Sequence, residues 1–217
     1  MGRCCIIPGL LPVGLGPIKK ILIARKQVAG EQSAWFAAIA LLNPAQVVVL
    51  DETSTSIRFA PLRAPRGERV RGVVPQGRWE SITLVATMRM AGIVSAVQFL
   101  GALGWEAFDT FMAQALLPTL ALGQIIGWDN LSMHKSQHAR ALIEAVGCRI
   151  LPTPRYPPDC NPIEQGFATL NVALRLAAPR TFDEVVTATG VATATVTSHS
   201  ATHFFQDVGY QIPAQYL

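Results

Sequence analysis

Charge is scarce in this chain, and so is the chemistry that cysteine and histidine bring. Only 15% of its 217 residues are charged, against 50% that are hydrophobic. The four cysteines are Cys4, Cys5, Cys148 and Cys160. None stands at a zinc-like pair spacing and two are adjacent, which indicates neither a disulfide framework nor a metal knuckle. Such usage fits a reducing, intracellular setting. An unbroken apolar run of membrane length is missing too. The stretch from Cys4 to Ile18 is cut by Pro8, Pro12 and Pro17 and by Gly9, Gly14 and Gly16, so it is too short and too broken to span a bilayer. Arg3 is the only charge ahead of it, which argues against a signal peptide, and Ile6 stands where a myristoylation site needs Ser or Thr. Residues 1–18 therefore read as an atypical, disordered leader. No internal repeat is visible.

What is present bounds the fold. A half-hydrophobic chain of this length buries a full core, and one domain of mixed class is the expectation. The formal charge of +4 is unevenly placed: residues 1–80 carry eleven Lys/Arg against five Asp/Glu, and residues 81–217 seven against nine. A basic front half suits a polyanionic partner, although ordinary enzymes show similar asymmetry.

Residues 19–44 read as linker and helix, the helix covering 27–42 and ending before Asn43-Pro44. Val47–Leu50 is a short, β-branched, buried strand. Residues 52–80, with six arginines and few apolar runs, read as an exposed hairpin or loop. Strands follow at Ser81–Met88 and Ile93–Leu100. Trp105, Phe108, Met112 and Leu116 recur at helical spacing ahead of Pro118, which predicts one amphipathic helix. Ile125–Trp128 is a further buried strand, and Trp128 is expected to pack one face of the sheet. Ala139, Leu142, Ile143 and Val146 stripe another helix, stopped by Gly147. Arg149–Leu151 is a short strand. The last third is helical in pattern, with a capping box at Thr181-Phe182-Asp183-Glu184. Residues 187–202, rich in Thr, Ala, Val and Ser with Gly190 inside, work against a helix. Three strands, then alternating helices and strands, describe an α/β mixed sheet with helices on both faces. That is the order of the ribonuclease H-like fold. It places the core domain at 45–178 and a C-terminal helical extension at 179–217.

Three acids end three of these segments: Asp51 after Val47–Leu50, Asp129 after Ile125–Trp128, and Glu164 after a run with five prolines in residues 152–162. Carboxylates at neighbouring strand ends and a helix start can converge on one cation, which is hardware for metal-assisted phosphoryl chemistry on nucleic acid. Each has a plain structural alternative. Asp51 could satisfy turn amides, Asp129 with Asn130 could form an Asx-turn, and Glu164 could close a reciprocal cap with Asn161 across Pro162. Together they are harder to explain as three coincidences. Glu52, next to Asp51, points to the other face by strand alternation and stays outside the site. The prolines ahead of Glu164 restrict its loop and preset its position.

The motifs Asp51-Glu52-Thr53, Ala64-Pro65-Arg66-Gly67-Glu68-Arg69, Asp129-Asn130-Leu131-Ser132-Met133-His134-Lys135 and Tyr156-Pro157-Pro158-Asp159-Cys160-Asn161-Pro162-Ile163-Glu164 resemble those of bacterial insertion-sequence transposases of the mariner-type DDE superfamily. The resemblance runs from about residue 19 to 212, and the thirty-four residues between Asp129 and Glu164 are the spacing that superfamily uses. It implies a metal-dependent endonuclease and strand transferase acting in DNA transposition. Two Mg²⁺ ions, replaceable by Mn²⁺, would be held by Asp51, Asp129 and Glu164, with Asp51 bridging both; oxygen ligands suit magnesium better than zinc. Asn130 and His134 would support the site, although turn chemistry and a helix-start histidine explain them equally well. Arg58, Arg63, Arg66, Arg69, Arg71, Arg78 and Lys135 would contact DNA phosphates; a solvated charged hairpin is the plain alternative for the arginines. Trp79 could stack on a base or anchor a strand start. The implied partners are double-stranded DNA, as transposon ends and target, and a second copy in a homodimer; no membrane is involved. The implied location is cytoplasmic, on the nucleoid.

The family's amino-terminal helix-turn-helix region has no counterpart in the roughly forty residues before the first strand. Thr169 and Asn171 stand where relatives commonly carry lysine, and Phe167 where Trp is frequent. These departures define a second reading: a truncated, catalytically silent remnant that binds DNA or other copies without cutting.

Overall fold

Val47, Val48, Val49 and Leu50 are at most 1% exposed, and a strand buried on both faces has to lie at the centre of its sheet. The computed structural model, which describes residues 29–56, 81–128, 137–153 and 160–216, places them there. Five strands, β1 (Val47–Ser56), β2 (Ser81–Arg89), β3 (Gly92–Leu100), β4 (Ile125–Trp128) and β5 (Arg149–Pro152), form one sheet in the order β3-β2-β1-β4-β5. β1, β2 and β3 are antiparallel neighbours; β4 runs parallel to β1 and β5 parallel to β4.

The helices are α1 (Ala29–Ile39), α2 (Trp105–Phe111), α3 (Gln137–Ala145), α4 (Ile163–Ala177), α5 (Phe182–Thr193) and α6 (Ser198–Asp207). Strand alternation sorts the core into two layers. Val48, Leu50, Val85, Ile126 and Trp128 pack with Phe108, Phe111 and Met112 around α2 and with Ala139 and Ile143 of α3. Val47, Val49, Ala86 and Met88 pack on the other face with Ile163, Phe167, Leu170 and Leu174 of α4 and with Ala201 and Phe205 of α6. Gly166 lets α4 come close to the sheet, since a Cβ there would sit 3.2 Å from the Met88 sulfur. Among the described residues, no helix is long and apolar enough to cross a membrane. The expected element order and the covering of both faces are what the structure has.

Four local expectations change. Of the hairpin-or-loop reading at 52–80, residues 52–56 are strand: they continue β1 and pair with residues 81–85 of β2. Cross-strand bonding extends the strand past its apolar run, which the hydrophobic pattern alone does not register. The segment 105–116 is not one helix either. α2 ends at Phe111, a wide π turn covers Met112–Leu116, and a 3₁₀ turn covers Leu117–Thr119. Pro118 has no N–H to give and its ring crowds the carbonyl four residues back, so the preceding turn opens. Trp105, at helical spacing with the buried residues, is 68% exposed. In the α3 stripe, Ala139 and Ile143 are buried, whereas Val146 lies beyond the helix and is 40% exposed. The Thr- and Ala-rich 187–202 segment is helical for most of its length. Burial of Val185, Thr189 and Ala192 outweighs propensity, and the Thr197 hydroxyl accepts from Ser200 N–H at 3.2 Å to start α6.

Several stops and caps stand as read. Gly147 takes φ +74°, its N–H donates to Glu144, and Cys148 N–H donates to Ile143. The Thr181 hydroxyl accepts from Glu184 N–H at 3.2 Å, while the Glu184 carboxylate accepts from Arg180 N–H at 2.6 Å, one residue earlier than in a standard capping box. The leader at 1–18, the arginines at 58–78, Trp79 and the Asp129–Lys135 motif lie outside the described residues.

Candidate active site

Asp51 is the first polar residue on its face of β1. Val47 and Val49 precede it on that face, and its cross-strand partner Ala86 belongs to the α4/α6 core layer. It is 7% exposed. A carboxylate that deep is expensive unless donors meet it. Glu52 N–H donates to Oδ1 at 2.8 Å, and Asn161 Nδ2 donates to Oδ2 at 2.8 Å. Glu52 pairs with Val85, a member of the opposite layer, so the two acids do separate to opposite faces as alternation predicts.

Asn161 stands two residues before α4, where Pro162 occupies the cap position at φ −63°. Its Oδ1 accepts from Ile163 N–H at 3.4 Å and its carbonyl from Glu164 N–H at 3.2 Å. The Asn161 side chain thus forms an Asx-type turn at the helix start, and its amide group faces Asp51. Glu164 is exposed in the first turn of α4, one helical turn after the residue that touches Asp51. Asn161 had only a capping role in the sequence. The signal that it does more is a side chain whose donor end is left over once its oxygen serves the turn.

The end of β4 is held as firmly. Trp128 pairs with Leu50 on one side and Pro152 on the other. Its carbonyl accepts from both Thr153 N–H at 2.8 Å and the Thr153 hydroxyl at 3.2 Å. Its indole is 2% exposed and tilted against Phe108, 6.4 Å between ring centres, in the sheet-packing role expected of it. Asp129 follows Trp128 directly in the sequence and lies outside the described residues.

The structure thus describes Asp51 and Glu164 among the expected site residues. Asp129, Asn130, His134, Lys135, Arg58, Arg63, Arg66, Arg69, Arg71 and Arg78 fall outside the described residues. Among the described residues no group of three His, Cys, Asp or Glu converges. Cys160, adjacent to Asn161, is buried in the core layer with Phe167 and Tyr210. At the other end of β2, Arg89 donates to the Thr119 carbonyl and to Gln124 Oε1, a lock between strand end and loop. Burial lowers its pKa, opposed by nearby Cys148.

A mixed five-stranded sheet in this order, with helices on both faces and an acid on the central strand, defines the ribonuclease H-like class of α/β protein. Residues 46–186 match the DDE superfamily endonucleases, and the chain belongs to that family. Among solved structures it is similar to the Mos1 transposase in a pre-cleavage transpososome (TM-score 0.66, 13% identity, 88% of this chain and 65% of that one). The Mos1 strand transfer complex gives a TM-score of 0.65 at 15% identity, covering 88% and 64%. The isolated catalytic domain of Mos1 mariner transposase gives 0.60 at 12%, covering 87% and 93%. The chain therefore spans just under two thirds of the longer Mos1 chains. No curated protein sequence matches it.

Proposed function

We propose that this chain is the catalytic domain of a DDE transposase that cleaves and joins DNA strands with divalent metal ions held by Asp51, Asp129 and Glu164. The observation that carries the reading is the buried Asp51 carboxylate, hydrogen-bonded on both oxygens and tied through Asn161 to the start of the helix bearing Glu164. The family match spans all three acids. Asp129 follows Trp128 directly, and Trp128 pairs with Leu50, the residue before Asp51. Ile126 and Trp128 belong to the α2/α3 layer.

Three carboxylates form a hard oxygen donor set, which fits Mg²⁺ or Mn²⁺. Mos1 structures have been solved with each. When bound, such ions supply Lewis-acid stabilisation of the attacking and leaving oxygens of a phosphoryl transfer. The chain's own contribution is to fix Asp51 between a backbone amide and the Asn161 amide, to hold the end of β4 through Thr153, and to present Glu164 from the first turn of α4. Asn130 and His134 would orient the site. Arg58, Arg63, Arg66, Arg69, Arg71, Arg78 and Lys135 would supply phosphate contacts.

The partner that fits is double-stranded DNA, as transposon ends and target, bound by a homodimer. Mos1 paired-end and strand transfer complexes support that partner by analogy. The proposed setting is a bacterial insertion sequence, with the protein cytoplasmic and on the nucleoid.

The test is incubation of the purified chain with supercoiled plasmid and Mg²⁺ or Mn²⁺, beside Asp51→Asn and Asp129→Ala. Loss of a ligand removes several kcal/mol of charge stabilisation, so nicking should fall about 10³-fold or more in each variant. Equal nicking by a variant and the unsubstituted protein sinks the assignment. DNA binding without nicking by the folded, unsubstituted chain would identify a silent relative.

A further inference from the structure

The Asn161–Asp51 contact does something that a helix start does not require. An Asx-type turn needs only the side-chain oxygen, which Asn161 already spends on Ile163 N–H. That bond fixes which end of the amide faces which way, so Nδ2 is turned to Asp51 Oδ2 at 2.8 Å, in a residue that is 6% exposed. The carbonyl of the same residue takes Glu164 N–H. One buried residue thus joins an acid on the central strand to the backbone of an acid on the helix.

We infer that Asn161 is the positioning residue of the cation site, an assignment that rests on the metal-dependent reading above. Asp51 is anchored at Oδ1 by Glu52 N–H and at Oδ2 by Asn161, so its carboxylate plane is set from both ends. Asn161 touches Asp51 and not the reacting atoms; it acts through Asp51 and through the placement of Glu164. Hydrogen-bonding partners of metal-ligating groups typically change metal affinity 10–100-fold when removed.

The experiment compares Mn²⁺ binding by the full chain with Asn161→Ser and Asn161→Gln, following free Mn²⁺ by electron paramagnetic resonance, alongside metal-free thermal midpoints. Ser keeps a short oxygen for the turn but falls short of Asp51; Gln keeps an amide donor. Asn161→Ser should bind Mn²⁺ about tenfold or more weakly, and Asn161→Gln should recover part of that loss. A merely structural role would instead order the variants by thermal midpoint, with Mn²⁺ affinity unchanged in the folded protein. If Asn161→Ser does not fold, Asn161→Asp takes its place: it keeps size and the Ile163 contact but sets an oxygen against Asp51. Its Mn²⁺ affinity must then differ from that of the unsubstituted chain for the assignment to stand. Unchanged affinity in a folded variant overturns the positioning role alone. Absence of Mn²⁺ binding by the unsubstituted chain overturns the metal-dependent reading and this role with it.

Discussion

The two faces of the sheet are built from the same strands and end differently. On the α2/α3 face, Val48, Leu50, Ile126 and Trp128 lie under Phe108, Phe111 and Met112, and the acid that follows on β1, Glu52, is only half-buried. On the α4/α6 face, Val47 and Val49 lead to Asp51, and the covering helix begins rather than continues there. A helix laid along a strand can only seal it with apolar side chains. A helix that starts over a strand brings backbone N–H groups and turn side chains, and these can meet a carboxylate. The proposed site lies where the helix begins, opposite the face sealed by α2 and α3.

The largest expected stability effect belongs to the sealed face. Trp128→Ala removes an indole that is 2% exposed and tilted against Phe108. It should cost about 3–5 kcal/mol in urea unfolding. The indole also holds the strand end just before Asp129, so metal affinity should fall with stability. A loss below about 1 kcal/mol would show that the face is not the sealed partner this comparison makes it.

Gly92 tests the other face. It opens β3 at φ +113°, and a Cβ there would lie 2.5 Å from the Val196 carbonyl oxygen between α5 and α6. Backbone strain and the clash together should make Gly92→Ala destabilising by about 1–3 kcal/mol. Because Gly92 is far from Asp51 along the strands, Mn²⁺ affinity of the folded variant should hold. A drop in affinity at unchanged stability would mean that the face moves as a unit with the site.

Much of this arrangement is legible in residue order. The Val47–Leu50 and Ile125–Trp128 runs announce central strands because both faces of a mixed sheet are covered. Gly147 and Thr181 announce helix ends because each residue type suits one backbone geometry. Where reading fails, a long-range partner decides. Glu52–Ser56 are strand because β2 pairs with them, and α5 and α6 are helices because their buried faces reach the core. Asn161 looks like a cap until the fold brings Asp51, 110 positions earlier, against its amide. Glu164 and Asp51 could be picked out as acids that close apolar or proline-rich runs, but only the fold shows that Asp51 lies inside β1 and what joins the two.

The α4/α6 face also carries a buried phenol. Tyr210 is 2% exposed beside Phe205, 5.1 Å between ring centres. Burial pushes its phenol well above the ordinary tyrosine value, and nearby Cys160 adds to the rise. Below pH about 10 the phenol is neutral in both folded and unfolded chains and adds no pH dependence. As pH climbs past that value the unfolded chain gives up the proton while the folded chain keeps it. The unfolded state then binds fewer protons, so stability falls towards the raised folded value. The slope from one such group approaches about 1.4 kcal/mol per pH unit. Tyr210→Phe should therefore lose less stability than the unsubstituted chain between pH 9 and pH 11 (about one unit either side of the ordinary value), measured as the difference in urea midpoints. Parallel losses in the two proteins would mean that the alkaline sensitivity lies elsewhere, and that the two faces differ in packing alone.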